Sequence, residues 1–358
     1  MRAPVGSILL LVACAEPEAC PLDEAGTLGE LTPWEQDFVD TPRDVVLPEV
    51  VWVDAEDAVP LGVRIYEPSS PPEQVVVLVH GSSAHGDLYE PLATGLQARG
   101  VAVVVPDTRG HGRSTCAAPA RGDAVGACGE DAPRSPADDG RTWPGRAGDA
   151  LDANQPVRDL GRHVELARAR FPDAAVHFVG HSSGGGLVSR FVELTGAPGV
   201  TSVVLLAPYN HPDQPQVRDE VKLDCPDLAG TQYARLDLGA LGDALRGNDH
   251  RYVLTLHKDP ELTTPLDTLR YTWTMVQGLA TTDPDAFWAH WPVPVRLMAA
   301  EADHLLDPAV SEAQVLRTPH GSYELVDDTS HIGMVWSDDV AERIVAFVTS
   351  PHARGHAR

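Results

Sequence analysis

Apolar and polar positions alternate in two early stretches, Val50-Val51-Trp52-Val53 and Leu61-Gly62-Val63-Arg64-Ile65-Tyr66, and this period of two predicts strands that open the fold as a hairpin. From Val75 the pattern changes. Val75–Val79, Val101–Val105, Ala175–Val179, Ser202–Leu206, Val293–Ala299 and Tyr323–Val326 are continuous apolar runs too short for helices, the signature of strands covered on both faces. Between them, apolar residues recur at helical spacing: Leu88, Leu92 and Leu96, then Val157, Leu160, Val164, Ala167 and Phe171. Gly100 and Pro172 stop these two helices. Further helices are predicted over Leu187–Leu194, Ala309–Leu316 and Val335–Val348. Strands alternating with helices predict an α/β fold with a mostly parallel, doubly wound sheet and right-handed crossovers.

Two intervals break the rhythm. Residues 114–150 are dense in Gly, Ala, Asp and Pro, and a loop of that length is functional or disordered. Residues 209–290 separate two core strands and carry helix-like stretches with Tyr233, Tyr252, Tyr271, Trp273, Phe287, Trp288 and Trp291. The expectation is an inserted helical lid that presents Tyr209, Trp273 or Trp288 to a cavity. Against it stands the plainer reading that these aromatics form the insertion's own small core. The chain then divides into a leader (1–14), a tether and arm (15–48), a first core part (49–208), the insertion (209–290) and a second core part (291–350).

The 358 residues can bury one large core. A formal charge of -25 argues against nucleic acid and against electrostatic docking on anionic lipid. The short apolar run ending Leu11-Val12-Ala13-Cys14 after Met1-Arg2 reads as an export signal. It also resembles a bacterial lipobox, in which Cys14 is lipidated and anchors a cell-envelope lipoprotein; a plain signal peptide with a secreted or periplasmic product is the alternative. Membrane association is expected only through that anchor. Cys20, Cys116, Cys128 and Cys225 remain, an even number suited to an oxidising compartment. The favoured pairing is Cys116 with Cys128 and Cys20 with Cys225, although the sequence leaves all pairings open.

The chemistry concentrates in Gly180-His181-Ser182-Ser183-Gly184, which ends a buried strand and opens a helix. That context makes G-x-S-x-G a nucleophile elbow, a sharp turn that lifts the Ser182 hydroxyl above the sheet and tolerates almost no side chain at Gly180 or Gly184. The Ser183 backbone N–H is then one oxyanion donor, and the N–H of Ser82, in His80-Gly81-Ser82-Ser83 after the Val75–Val79 strand, is the second. A serine nucleophile needs a base held in one tautomer by a carboxylate. In the chain order Ser, acid, His, the acid is Asp303 and the base His331, each just past a strand C-terminus. Asp307 reads as a helix cap, and Asp327 and Asp328 lie too close to His331 in sequence.

These segments, with Pro106-Asp107-Thr108-Arg109-Gly110-His111-Gly112-Arg113-Ser114, resemble the monoacylglycerol lipase and lysophospholipase-like branch of the α/β-hydrolases, grouped with serine aminopeptidase-type sequences. The resemblance covers most of residues 50–348 and implies the fold, a mobile lid and ester hydrolysis; the 114–150 loop is long and holds two cysteines, Ala300 stands where Gly is usual, and the insertion does not carry a substrate over. No HExxH, P-loop or complete G-x-G-x-x-G occurs, so no metal or cofactor is expected. The expected substrate is a small or lipid-like acyl ester. An aminopeptidase would need an acidic pocket for a substrate ammonium, and an inactive surface protein would have lost one of Ser182, Asp303 and His331.

Overall fold

The computed structural model describes residues 45–115, 140, 142, 144–217, 232–283, 286–351 and 353, with Gln36 and Asp40. All five cysteines, including Cys14 and both proposed pairs, lie outside the described residues.

The alternating stretches form β1 (Val50–Asp54) and β2 (Pro60–Tyr66), antiparallel with Val50 opposite Arg64. The continuous runs form β3 (Gln74–Val79), β4 (Ala102–Pro106), β5 (Ala175–His181) and β6 (Ser202–Leu206), followed after the insertion by β10 (Val295–Ala300) and β11 (Gly321–Val326). The eight strands order as β1-β2-β4-β3-β5-β6-β10-β11, and every pairing from β4 to β11 is parallel. The reason for unbroken apolar runs is visible residue by residue. In β3, Val75, Val77 and Val79 enter the core under α2 (Gln155–Arg170) and α3 (Ser183–Thr195). Val76 and Leu78 enter the opposite core, under α1 (Glu90–Ala98) and α7 (Asp338–Val348). A strand with helices on both faces has no polar side.

Helix ends follow local chemistry. The last helix starts at Asp338, later than the predicted Val335, because the Ser337 hydroxyl accepts the Val340 N–H and caps it there. Helix α6 (Pro308–Val315) is capped by Asp307, whose carboxylate accepts the Ala309 and Val310 N–H groups.

The insertion departs from the helix-rich expectation. Its framework is a three-stranded antiparallel sheet of β7 (Gln232–Leu236), β8 (Tyr252–Lys258) and β9 (Arg270–Thr272), with the short helices α4 (Leu238–Ala244) and α5 (Trp273–Gly278). Several of its aromatics belong to cores. Trp288 and Trp291 stack with centroids 5.6 Å apart and Phe287 packs on both, all within the α2–α3 side of the main core. Trp273 covers the insertion's own cluster of Ala240, Leu241, Ala244 and Val253, and Tyr209 packs beside Ala207, Val217 and Leu306. None of Tyr209, Trp273 and Trp288 lines the cavity above the elbow. Tyr271, Phe287, Trp288 and Trp291 thus fill the main core rather than a core of the insertion's own, where large rings bury the most area, while Trp273 packs as the plainer reading had it.

The β1–β2 turn is locked to α2 through Arg109, almost fully buried, whose guanidinium contacts Asp159 at 2.5 Å and Asp57 at 2.8 Å. Arg109→Met would leave the buried Asp159 carboxylate without its partner. The expected loss is about 3–5 kcal/mol of unfolding free energy, read by denaturant titration. A loss below about 1 kcal/mol would show that Asp159 finds compensation elsewhere.

Candidate active site

Strand β5 delivers the chain to Ser182 at the centre of the sheet, and the backbone there turns into α3 at φ 53° and ψ -127°, a strained conformation for a residue with a Cβ. The turn survives because it is tied on both sides. Ser182 N–H donates to Leu206 O, and Ser182 O accepts from Gly185 and Tyr209 N–H. A Cβ at Gly184 would come within 2.4 Å of the His80 and Val79 carbonyls, so glycine is required there for the elbow to press on the β3 loop.

That loop is fixed by donors and acceptors of definite role. Thr108 N–H donates to His80 Nε2 at 3.0 Å, which places the His80 proton on Nδ1, 2.9 Å from Gly81 O. The Gly81 N–H donates to Tyr89 Oη at 2.8 Å and the Ser83 N–H to Tyr271 Oη at 2.7 Å. Between these two engaged neighbours stands Ser82, which lines the cavity. Its hydroxyl lies 2.7 Å from that of Ser183, joining the two proposed oxyanion positions.

Tyr89 extends the chain of bonds. Having accepted from Gly81, its hydroxyl donates to His181 Nδ1 at 2.7 Å, and His181 Nε2–H donates to the His331 carbonyl at 2.9 Å. Burial, with the charge of His331 in second place, depresses His181 to about 3, so it holds this single tautomer at neutral pH. The β3 loop, the elbow and the His331 loop are thereby one hydrogen-bonded unit.

Asp303 and His331 meet as expected. His331 Nδ1 lies 2.8 Å from Asp303 Oδ2, with both side chains almost fully buried. The other carboxylate oxygen accepts the Leu305 and Leu306 N–H groups at 2.8 and 3.0 Å. Burial alone would raise Asp303, but the charge and hydrogen bond of His331 and the two amides outweigh it and hold the carboxyl below its ordinary value. Since Nδ1 is engaged, Nε2 is the nitrogen through which His331 can exchange a proton with the cavity. Asp307 caps α6, and Asp327 and Asp328 are exposed.

The Asp107–Ser114 segment is a bracket beneath the site. The Asp107 carboxylate accepts the Gly86 and Arg113 N–H groups, and the Ser114 hydroxyl ties Asp107 O to Gly62 N–H.

Ser182 and His331 line one cavity together with Gly81, Ser82 and Ser83 and the apolar Leu88, Leu262, Ile332, Val335 and Trp336. Lys258 and Leu262 come from the insertion. Tyr89, Lys258 and Tyr271 were not legible as site residues. Tyr89 sits beside the apolar Leu88 with no motif of its own, and the other two reach the site only through the insertion's tertiary path.

The profile of the family described as serine aminopeptidase, S33 matches residues 70–332. Monoglyceride lipase from Mus musculus is 22% identical over 220 residues, covering 62% of this chain and 62% of the relative. The match thus spans less than two thirds of that lipase. Among solved structures, a soluble variant of monoglyceride lipase from Saccharomyces cerevisiae superposes with a TM-score of 0.56 at 14% identity, over 86% of this chain and 95% of the other. A carboxyl esterase from Bacillus coagulans gives 0.56 at 17% identity, over 85% and 98%. The profile match across most of the chain agrees with the elbow and the strand order, and the chain belongs to the serine aminopeptidase S33 family of α/β-hydrolases.

Proposed function

We propose that this protein hydrolyses carboxylic esters through Ser182, His331 and Asp303. Ser182 Oγ attacks the ester carbonyl while His331 Nε2 takes its proton. The Ser82 and Ser183 N–H groups hold the oxyanion, and His331 returns the proton to the leaving alcohol. Water, deprotonated by the same histidine, then releases the acid from the acyl-enzyme. Asp303 keeps the His331 proton on Nδ1 and stabilises the imidazolium that forms.

The observation that carries an ester reading over a peptide one is the wall of the cavity. Apart from the loop and elbow residues it is largely apolar, its charged side chain is Lys258, and no carboxylate lines it among the described residues. An aminopeptidase must hold a substrate ammonium, and a lysine in the wall opposes that. Monoglyceride lipases and esterases among the similar proteins agree with the ester reading. Hydrolysis of p-nitrophenyl esters of graded acyl length, compared with aminoacyl anilides, tests it. Turnover of esters with negligible release from anilides is expected; the reverse preference would overturn the assignment.

The choice of acid has its own test. Asp303→Asn is expected to lower kcat by about 10⁴-fold, because the amide no longer selects the productive tautomer. Asp307→Asn keeps a competent cap and should stay within a few-fold of wild type. Greater damage from the Asp307 change would reassign the acid.

A further inference from the structure

We infer that Lys258 is a specificity-determining residue that selects esters bearing an anionic oxygen group, a carboxylate or a phosphate. The inference rests on the ester reading of the same cavity. Lys258 ends β8 and reaches the site from the insertion; its side chain is 10% exposed and forms part of the cavity wall. The ammonium lies 2.8 Å from Asp267 Oδ2 and 3.5 Å from the carbonyl of Ser83, one residue beyond the proposed oxyanion donor Ser82.

Asp267 does not use up the ammonium. Its carboxylate already accepts the Thr264 hydroxyl at 2.8 Å and the Thr264 N–H at 3.2 Å, and His85 Nε2 lies 3.5 Å away. An ammonium has three donors. Asp267 takes one, and the Ser83 carbonyl stands at the outer limit of hydrogen bonding. Asp267 therefore fixes the lysine head at the cavity edge and leaves it donors for a further acceptor. The same cavity is lined by Leu88, Leu262, Ile332, Val335 and Trp336, so it joins apolar surface for an alkyl group to one ammonium for an oxygen-rich anion. A charge-assisted hydrogen bond in such a partly desolvated place discriminates by about tenfold to a hundredfold.

Two matched pairs of substrates test this and separate the sources of the anion. p-Nitrophenyl hemisuccinate against p-nitrophenyl butyrate places the charge on the acyl side, and 1-butyrylglycerol 3-phosphate against 1-butyrylglycerol places it on the alcohol. Wild type should favour the anionic member of at least one pair by tenfold or more in kcat/KM, with the difference carried by KM and reduced at high salt. In Lys258→Met that ratio should fall to about one. Should Lys258→Met fail to fold with Asp267 left unpaired, the Lys258→Met/Asp267→Asn double variant removes both charges and is read the same way. Equal use of both members by wild type, or a preference that survives loss of the lysine, overturns the inference and leaves ester hydrolysis standing. Failure of wild type to cleave any of the four esters overturns the ester reading and this inference with it.

Discussion

Ser182→Ala is expected to lower ester turnover by about 10⁴–10⁶-fold while leaving the fold intact. The proposed oxyanion donors that remain cannot replace a nucleophile. The fold should survive because the elbow is tied through the Ser182 backbone, which alanine keeps. A second substitution at this position isolates the strain. Ser182 holds φ at 53°, which alanine must share and glycine adopts freely. Ser182→Gly should therefore be as inactive as Ser182→Ala but more stable than it, by about 1 kcal/mol in denaturant titration. Equal stability of the two variants would mean that the elbow's conformation carries no appreciable strain. Turnover by Ser182→Ala within tenfold of wild type would place the nucleophile elsewhere.

The second large effect concerns acid. His80, His111, His163 and His181 are fully buried, and burial is the main cause that lowers each of them: His111 to about 4, His163 and His181 to about 3, and His80 well below its ordinary 6.5. In the unfolded chain these imidazoles take up protons as pH falls through about 6.5, whereas the folded protein refuses them well below that, until about pH 4 for His111 and about pH 3 for His163 and His181. The unfolded state binds more protons throughout that window, so stability rises with pH and is lost on acidification. From His111, His163 and His181 the slope near pH 5 is on the order of 4 kcal/mol per pH unit, and His80 acts in the same direction. Urea midpoints at pH 7, 6 and 5.5 should fall progressively and steepen toward acid. His163 contributes no compensating bond, since neither ring nitrogen has a hydrogen-bond partner among the described residues. His163→Leu should therefore flatten the profile by one proton and raise stability at pH 5.5. Midpoints unchanged between pH 7 and 5.5 would contradict the burial argument.

What the sequence made legible follows from how local each feature is. The β3, β5 and β6 runs are short and bounded by glycine, proline or polar residues, so period and length sufficed to name them. The elbow was legible because Gly180, Ser182 and Gly184 serve a turn that only those residues permit, and Asp303 and His331 because the fold fixes their chain order. The insertion was not. Trp273, Phe287, Trp288 and Trp291 lie at spacings that suit a surface helix or a core alike, and only tertiary packing assigns them to cores. Lys258 and Asp267 meet across the connection between two strands of the insertion, and Lys258 carries no motif that marks it as lining the cavity of Ser182.

The central claim, that Ser182 is the nucleophile of an acyl-enzyme, is tested most directly by covalent labelling. The folded protein is treated with a fluorophosphonate, digested and examined by peptide mass spectrometry, with residual ester turnover followed in parallel. The account predicts one adduct per chain, on Ser182 of the Gly180–Gly184 segment, formed in step with loss of activity and absent from Ser182→Ala. Labelling of a different residue in step with that loss, or an unlabelled Ser182 in a protein whose turnover is abolished by the reagent, would contradict it.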